Sequence, residues 1–113
     1  MAKIGICGTG KMGSEITRRL LECNQDITIW NRTKNKTIEL IKHGAKSAQN
    51  ISELIDNSDV IIIIMGNDEA LDFIYKHPEG IKNHNLKNKV IIELSTTSVD
   101  KIKSLERIIN ALN

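Results

Sequence analysis

Residues 3–13 read Lys3-Ile4-Gly5-Ile6-Cys7-Gly8-Thr9-Gly10-Lys11-Met12-Gly13, a short apolar run that passes into a glycine-rich turn. Lys3–Cys7 predicts a strand. From Lys11 to Cys23 the spacing predicts a helix with Met12, Ile16, Leu20 and Cys23 on one face. The G-x-G-x-x-G therefore lies between a strand and a helix, the context in which it carries chemistry. Gly8 permits a tight turn, Gly10 lets the backbone approach a ligand, and Gly13 lets helix and strand pack closely. The helix start supplies free N–H groups and partial positive charge, which suit a pyrophosphate. Lys11 adds a positive charge beside it.

Outward from this stretch the chain keeps alternating. Asp26–Trp30 predicts a second strand. Asn35 is placed to N-cap a helix carrying Ile38, Leu40 and Ile41, which Gly44 ends. Ala45–Ala48 predicts a short third strand, and Asn50 to Glu53 has capping-box spacing. Val60-Ile61-Ile62-Ile63-Ile64-Met65 is apolar on both faces, as a strand inside a helix-covered parallel sheet is. Asp68–Lys76 predicts a helix, then a loop rich in His, Pro, Gly and Asn leads to a fifth strand at Lys89–Leu94. Ser98 caps a last helix with Val99, Ile102, Leu105, Ile108, Ile109 and Leu112 on its apolar side. Five strands alternating with helices give an α/β fold, a Rossmann-type doubly wound parallel sheet. Its ligand site is expected at the carboxyl ends of the strands, where the strand order reverses.

Composition narrows the function classes. With 113 residues the chain makes one domain, and 40% hydrophobic with 27% charged residues reads as globular. A net charge of +2 and only Trp30, Phe73 and Tyr75 as aromatics argue against nucleic-acid binding. The longest apolar run, Val60–Met65, falls far below the ~20 residues of a membrane helix, so no membrane partner is expected. Cys7 and Cys23 are expected to be a buried, reduced pair, which together with the lack of a leader pattern points to a cytoplasmic protein. His43, His77 and His84 lack metal-ligand spacing, with the last two in a solvated loop, and no metal is expected. Cys7 next to Gly8 reads as a packed core thiol, and no nucleophile turn is present.

The end of the second strand chooses the cofactor. An acidic residue there would bond the adenosine ribose 2′-hydroxyl and repel a 2′-phosphate. This chain has Asn31-Arg32-Thr33, with Lys36 three residues on. Asn31 removes the carboxylate, Arg32 offers a forked donor that also stacks on adenine, and Thr33 adds a hydroxyl. The expected cofactor is NADP(H). Loss of a charged hydrogen bond such as Arg32 would make costs about 1.5–3 kcal/mol.

By these motifs the chain resembles the β-hydroxyacid dehydrogenases, the group of 3-hydroxyisobutyrate dehydrogenase and tartronate semialdehyde reductases. The match is to their N-terminal, 6-phosphogluconate-dehydrogenase-type NADP-binding domain. It rests on Gly8 to Gly13 with Met12 in place, and on Asn31-Arg32-Thr33 to Lys36. Ser58-Asp59-Val60 and Ile91-Ile92-Glu93-Leu94-Ser95-Thr96 add to it, close to the family's I-D-x-S-T-x-x-P with Glu93 for Asp and Val99 for Pro. The family's Met-Leu-Pro-Asp reads Ile64-Met65-Gly66-Asn67 here, and Pro78 to Ile81 fits its G-x-x-G-I turn. The resemblance implies that the loop after the fourth strand passes the adenosine and pyrophosphate side, so that Met65 and Gly66 touch the cofactor, and that the Ser95-Thr96 pair reaches the nicotinamide, with Thr96 as the contact.

The same resemblance implies a chain of nearly three hundred residues, with a substrate loop and a catalytic lysine that both follow the last helix seen here. Residues 1–113 therefore read as an NADP(H)-binding domain without its C-terminal substrate and catalytic domain, with the sheet cut short before a sixth strand. No catalytic residue is named in it. The expected function is cofactor binding for hydride transfer between NADP and a 3-hydroxyacid or semialdehyde, inactive without the missing half. A stand-alone NADP-sensing or interaction module is one alternative. A pyrroline-5-carboxylate reductase-like domain is another, though its Lys-Pro after the fourth strand is not supplied by Gly66-Asn67. The open, apolar edge at Val90–Leu94 invites a second copy of the chain or a separately encoded C-terminal half.

Overall fold

The computed structural model describes residues 2–112, apart from the side chains of Lys36 and Leu112. The elements are β1 (Lys3–Cys7), α1 (Lys11–Glu22), β2 (Asp26–Trp30), α2 (Ile38–Lys42), β3 (Lys46–Ser47), α3 (Ile51–Asp56), β4 (Val60–Ile63), α4 (Asp68–Lys76), β5 (Val90–Glu93) and α5 (Val99–Leu112). All strand pairs are parallel, in the order β3-β2-β1-β4-β5. The chain winds one way from β1 to β3 and the other way from β4 to β5, so the order reverses between β1 and β4. This is the expected doubly wound sheet, with its crevice at the carboxyl ends of those two strands.

The three central strands, β2, β1 and β4, feed two cores because successive side chains alternate in direction. Ile6, Ile27, Ile29 and Ile62 point to one face and pack with Leu20, Leu21, Leu40 and Ala45 of α1, α2 and the turn after α2. Cys7, Trp30, Ile61 and Ile63 point to the other, under Leu54, Ile55, Leu71, Ile74, Tyr75 and Leu105. The pairing of Val60 with Val90 and Ile62 with Ile92 puts both β5 residues on the first face, beyond the helices that cover it. Val90, Ile92 and Leu94 are accordingly 56%, 38% and 43% exposed. Asp72 joins α4 to α5 through Lys101, and this contact, with Lys76, holds its carboxyl below the usual range.

Several expectations shift, each for a packing reason. The buried line of α1 is Gly13 and Thr17, while Met12 is 57% exposed and Cys23 is also exposed. Helix and strand approach so closely at Gly13 that only small residues fit the contact line. The two cysteines are not a buried pair: Cys7 is buried in β1, Cys23 is exposed at the C-cap of α1, and both are free. Asn35 caps nothing, because a turn of 3-10 helix, Lys34–Thr37, comes first and Thr37 Oγ1 donates back to Lys34 O. β3, β4 and β5 are shorter than expected: Ala45 and Ala48 flank a two-residue β3, β4 ends at Ile63, and β5 spans Val90–Glu93. Val99 is 69% exposed and lies off the buried side of α5. His84 is not a solvated loop residue. Its side chain is 10% exposed and its ring nitrogens meet Asp56 Oδ1 and Glu79 O, both at 3.1 Å.

Gly5 offers a test of how tightly β1 is packed. A Cβ there would lie 2.2 Å from Ser58 Oγ and 2.8 Å from Leu54 Cδ2. Gly5→Ala is expected to cost about 1–3 kcal/mol by overpacking, read as a lower denaturant midpoint with an unchanged slope. Adding Ser58→Ala should recover part of that loss, because the two side chains contest one space.

Candidate functional site

The glycine turn is built into the crevice by two close approaches. Gly8 has φ +107°, and a Cβ on it would meet Ile64 O at 2.0 Å; a Cβ on Gly13 would meet Gly8 O at 2.1 Å. Both positions require glycine for the protein's own packing. Gly10 and Gly66 differ: a Cβ on either would meet nothing within 4 Å, and neither has a positive φ. Their bare backbones face open space.

The loop is tied to the end of β2. Gly8 N donates to Trp30 O at 2.9 Å and Thr9 N to Asn31 Oδ1 at 3.1 Å, while Asn31 Nδ2 donates to Thr33 O at 3.0 Å. Asn31 therefore does more than remove a charge: its amide holds the glycine turn against the next strand's exit. Thr9 is 3% exposed, and its Oγ1 is a buried oxygen without a hydrogen-bond partner among the described residues. Such an atom fits a loop whose bonding is completed by a ligand.

Behind the turn, α1 starts without a side-chain cap and without an acidic residue in its first turn. Its first intrahelical bond is Ser14 N to Gly10 O, 2.8 Å, so the amides of Lys11, Met12 and Gly13 precede the ladder. By contrast, Asn50 and Asn67 cap α3 and α4 from their side chains at 2.8 Å, with Glu53, Asp68 and Glu69 in the first turns. Ser98 caps α5 through Lys101 N. Uncapped amides with a lysine and no carboxylate favour an anion.

A cleft of about 270 Å³ opens directly onto this helix start, lined by Gly10, Lys11, Met12, Gly13, Ile64, Met65, Gly66, Leu94, Ser95 and Thr96. It joins the exits of β1, β4 and β5, as the strand order dictates. Gly8 and Thr9, which precede Gly10 in the turn, are not among the residues that line it. Asn31, Arg32 and Thr33 stand apart at the exit of β2, where the Arg32 guanidinium sits 5.2 Å from the Phe73 ring centre. Phe73 in turn stacks on Trp30 at 5.9 Å with rings 7° from parallel. Arg32 is 53% exposed and faces Glu69, 3.7 Å away. The expected contribution of Lys36 lies outside the described side chains.

Four participants were not named among the expected site residues. Ser95 lines the cleft and its Oγ accepts from Met65 N at 2.6 Å; the Ser95-Thr96 pair was the available signal. Glu93 accepts from Tyr75 OH at 2.9 Å and from Ser95 N at 3.1 Å, a pairing across 18 residues that spacing does not show. Phe73 and Glu69 reach Arg32 from α4 for the same reason. Burial, then the nearby Glu93 carboxylate, push the Cys7 thiol up to about 12, so it stays a neutral core group. Burial first and Glu93 second also raise Tyr75, which stays protonated and able to donate. Among the described residues no three His, Cys, Asp or Glu side chains gather as a metal site would need, and no helix is long and apolar enough to cross a membrane.

The glycines separate folding from ligand binding. Gly13→Ala is expected to destabilise the fold by about 1–3 kcal/mol, as forced contacts in packed cores do. Gly10→Ala should leave the melting temperature within about 2 °C, a surface-scale effect, while weakening dinucleotide binding in calorimetry.

Comparison with known proteins agrees with this geometry. The family described as the NAD binding domain of 6-phosphogluconate dehydrogenase matches residues 3–113. The uncharacterized oxidoreductase YfjR of Bacillus subtilis is 31% identical over 98 residues, covering 87% of this chain and 34% of that protein. An imine reductase from Pseudomonas sp. superposes with a TM-score of 0.91 at 28% identity, over 99% of this chain and 38% of its own. A reductive aminase from Aspergillus terreus, solved with NADPH and ethyl-5-oxohexanoate, superposes at 0.88 with 26% identity, over 100% and 38%. The chain thus spans about a third of the length of the curated relative. It belongs to the family of 6-phosphogluconate dehydrogenase-type NAD-binding domains and is an NAD(P)-binding domain of the kind found in hydroxyacid dehydrogenases and imine reductases.

Proposed function

We propose that residues 1–113 form the NADP(H)-binding domain of an oxidoreductase that moves a hydride between NADP and a small carbonyl, hydroxyacid or imine compound. The observation that carries this reading is the uncapped start of α1 opening onto a cleft whose Gly10 and Gly66 have no packing need to be glycine. There the amides of Lys11, Met12 and Gly13 would bond the pyrophosphate, and Met65, Gly66 and Thr96 would flank the nicotinamide half. Arg32, with Asn31 and Thr33 beside it and Lys36 following, would receive the 2′-phosphate. Bound NADPH supplies the hydride; the chain's residues bind and orient it.

Reduction of a carbonyl or imine also needs a proton donor. The titratable side chain lining the cleft is Lys11, at the phosphate end. This supports a donor and substrate pocket contributed from outside residues 1–113, with no turnover by this domain alone. The exposed Val90, Ile92 and Leu94 beside the open β5 edge are where a second copy or a C-terminal half would seat. Free Cys7 and Cys23 accord with a cytoplasmic setting.

Calorimetry with the 113-residue chain tests the cofactor. NADPH is expected to bind at least about tenfold tighter than NADH, the lower end of what one charge-assisted contact is worth. Arg32→Ala should remove that preference and leave NADH within about twofold. Glu69→Gln, which frees Arg32, should tighten NADPH by about two- to threefold at low salt and less at high salt. NADH binding as tightly as NADPH would overturn the choice of cofactor.

A further inference from the structure

Beyond Ile63 and Leu94 the β4–β5 ladder ends, its last bond running from Leu94 N to Ile63 O at 2.9 Å. The two strands must part here, because the cleft opens between their exits and the glycine turn. The next link between them is made by side chains. Met65 N donates to Ser95 Oγ at 2.6 Å, Ser95 N donates to Glu93 Oε1 at 3.1 Å, and Tyr75 OH donates to Glu93 Oε2 at 2.9 Å. Tyr75 is 1% exposed on α4, so the far end of this chain of bonds is fixed in the core. Met65 and Ser95, at its near end, both line the cleft.

We infer that Glu93 is a positioning residue for the nicotinamide half of the cofactor site: anchored by Tyr75, its carboxylate sets Ser95 and through it the Met65-Gly66 exit of β4. The inference rests on the proposed reading of the cleft as a dinucleotide site. A carboxylate suits the task because it accepts from both neighbours at once, one oxygen each, and needs no donor of its own. Tyr75 supplies a fixed direction, since a buried ring has little freedom to follow a moving loop. The Met65 amide bonded to Ser95 Oγ leaves that hydroxyl's proton free for an acceptor in the cleft. No hydrogen bond of this linkage is made to Gly8–Gly13 or to Arg32, so its effect is expected mainly at one end of the ligand.

That confinement provides the test. Tyr75→Phe removes one donor at constant ring packing, and Glu93→Leu removes both acceptances at similar volume. Binding of NADPH and of 2′,5′-ADP, its adenosine half, is measured by calorimetry for each variant beside the thermal melt. Both variants are expected to weaken NADPH by about five- to tenfold while 2′,5′-ADP stays within about twofold. Equal losses for the two ligands would mean a general structural role and would overturn the proposal, as would no loss at all. Should Glu93→Leu fail to fold, Tyr75→Phe decides alone. If the unaltered chain binds neither ligand, the reading of the cleft itself fails and this assignment goes with it; if it binds both and the variants show no split, only the assignment falls.

Discussion

The approach of the first turn of α1 to the exits of β1 and β4 governs the rest of the molecule. Gly13 rides on the carbonyl of Gly8, and Gly8 on the carbonyl of Ile64, at distances that leave no room for a methyl group. With the backbones this close, α1 aims its N-terminus at the strand ends instead of at solvent above them. The same approach dictates that α1 buries Gly13 and Thr17 and leaves Met12 outside. The cleft, its polarity and its place at the reversal of strand order follow from that one contact.

Two kinds of glycine share one motif, and the distinction organises the site. Gly8 and Gly13 answer to steric demands from within the chain. Gly10 and Gly66 answer to none, although both line the cleft. A conformational account covers the first pair; the second fits the proposed ligand, which would take the space a side chain would fill. The unpartnered Thr9 Oγ1 beside the uncapped helix start points the same way.

The fold was largely legible in the residue pattern, because β-branched runs at regular intervals leave few alternatives to a parallel sheet covered on both faces. The strand-turn-helix geometry of Gly8 to Gly13 was legible too, since the motif is contiguous and its mechanics are local. Less could be read where side chains meet across long separations. Nothing near Arg32 announces Phe73 and Glu69, which arrive from a helix more than thirty residues on. Glu93 read as a stand-in for aspartate and gained meaning only beside Tyr75. Helix faces misled at both ends of α1: spacing put Met12 inside, whereas the close approach buries Gly13 and Thr17 instead, and Cys23 falls beyond the helix as its exposed C-cap.

An amide-resolved NMR titration of the chain with NADPH tests the central claim, that the uncapped helix start and the cleft before it hold the dinucleotide. The account predicts that shifts concentrate at Gly10 to Gly13, at Met65 and Gly66, at Ser95 and Thr96, and around Arg32. Shifts confined to another surface, such as the depression lined by Ile38, Ile41 and Gln49, or no shifts at millimolar NADPH, would contradict it.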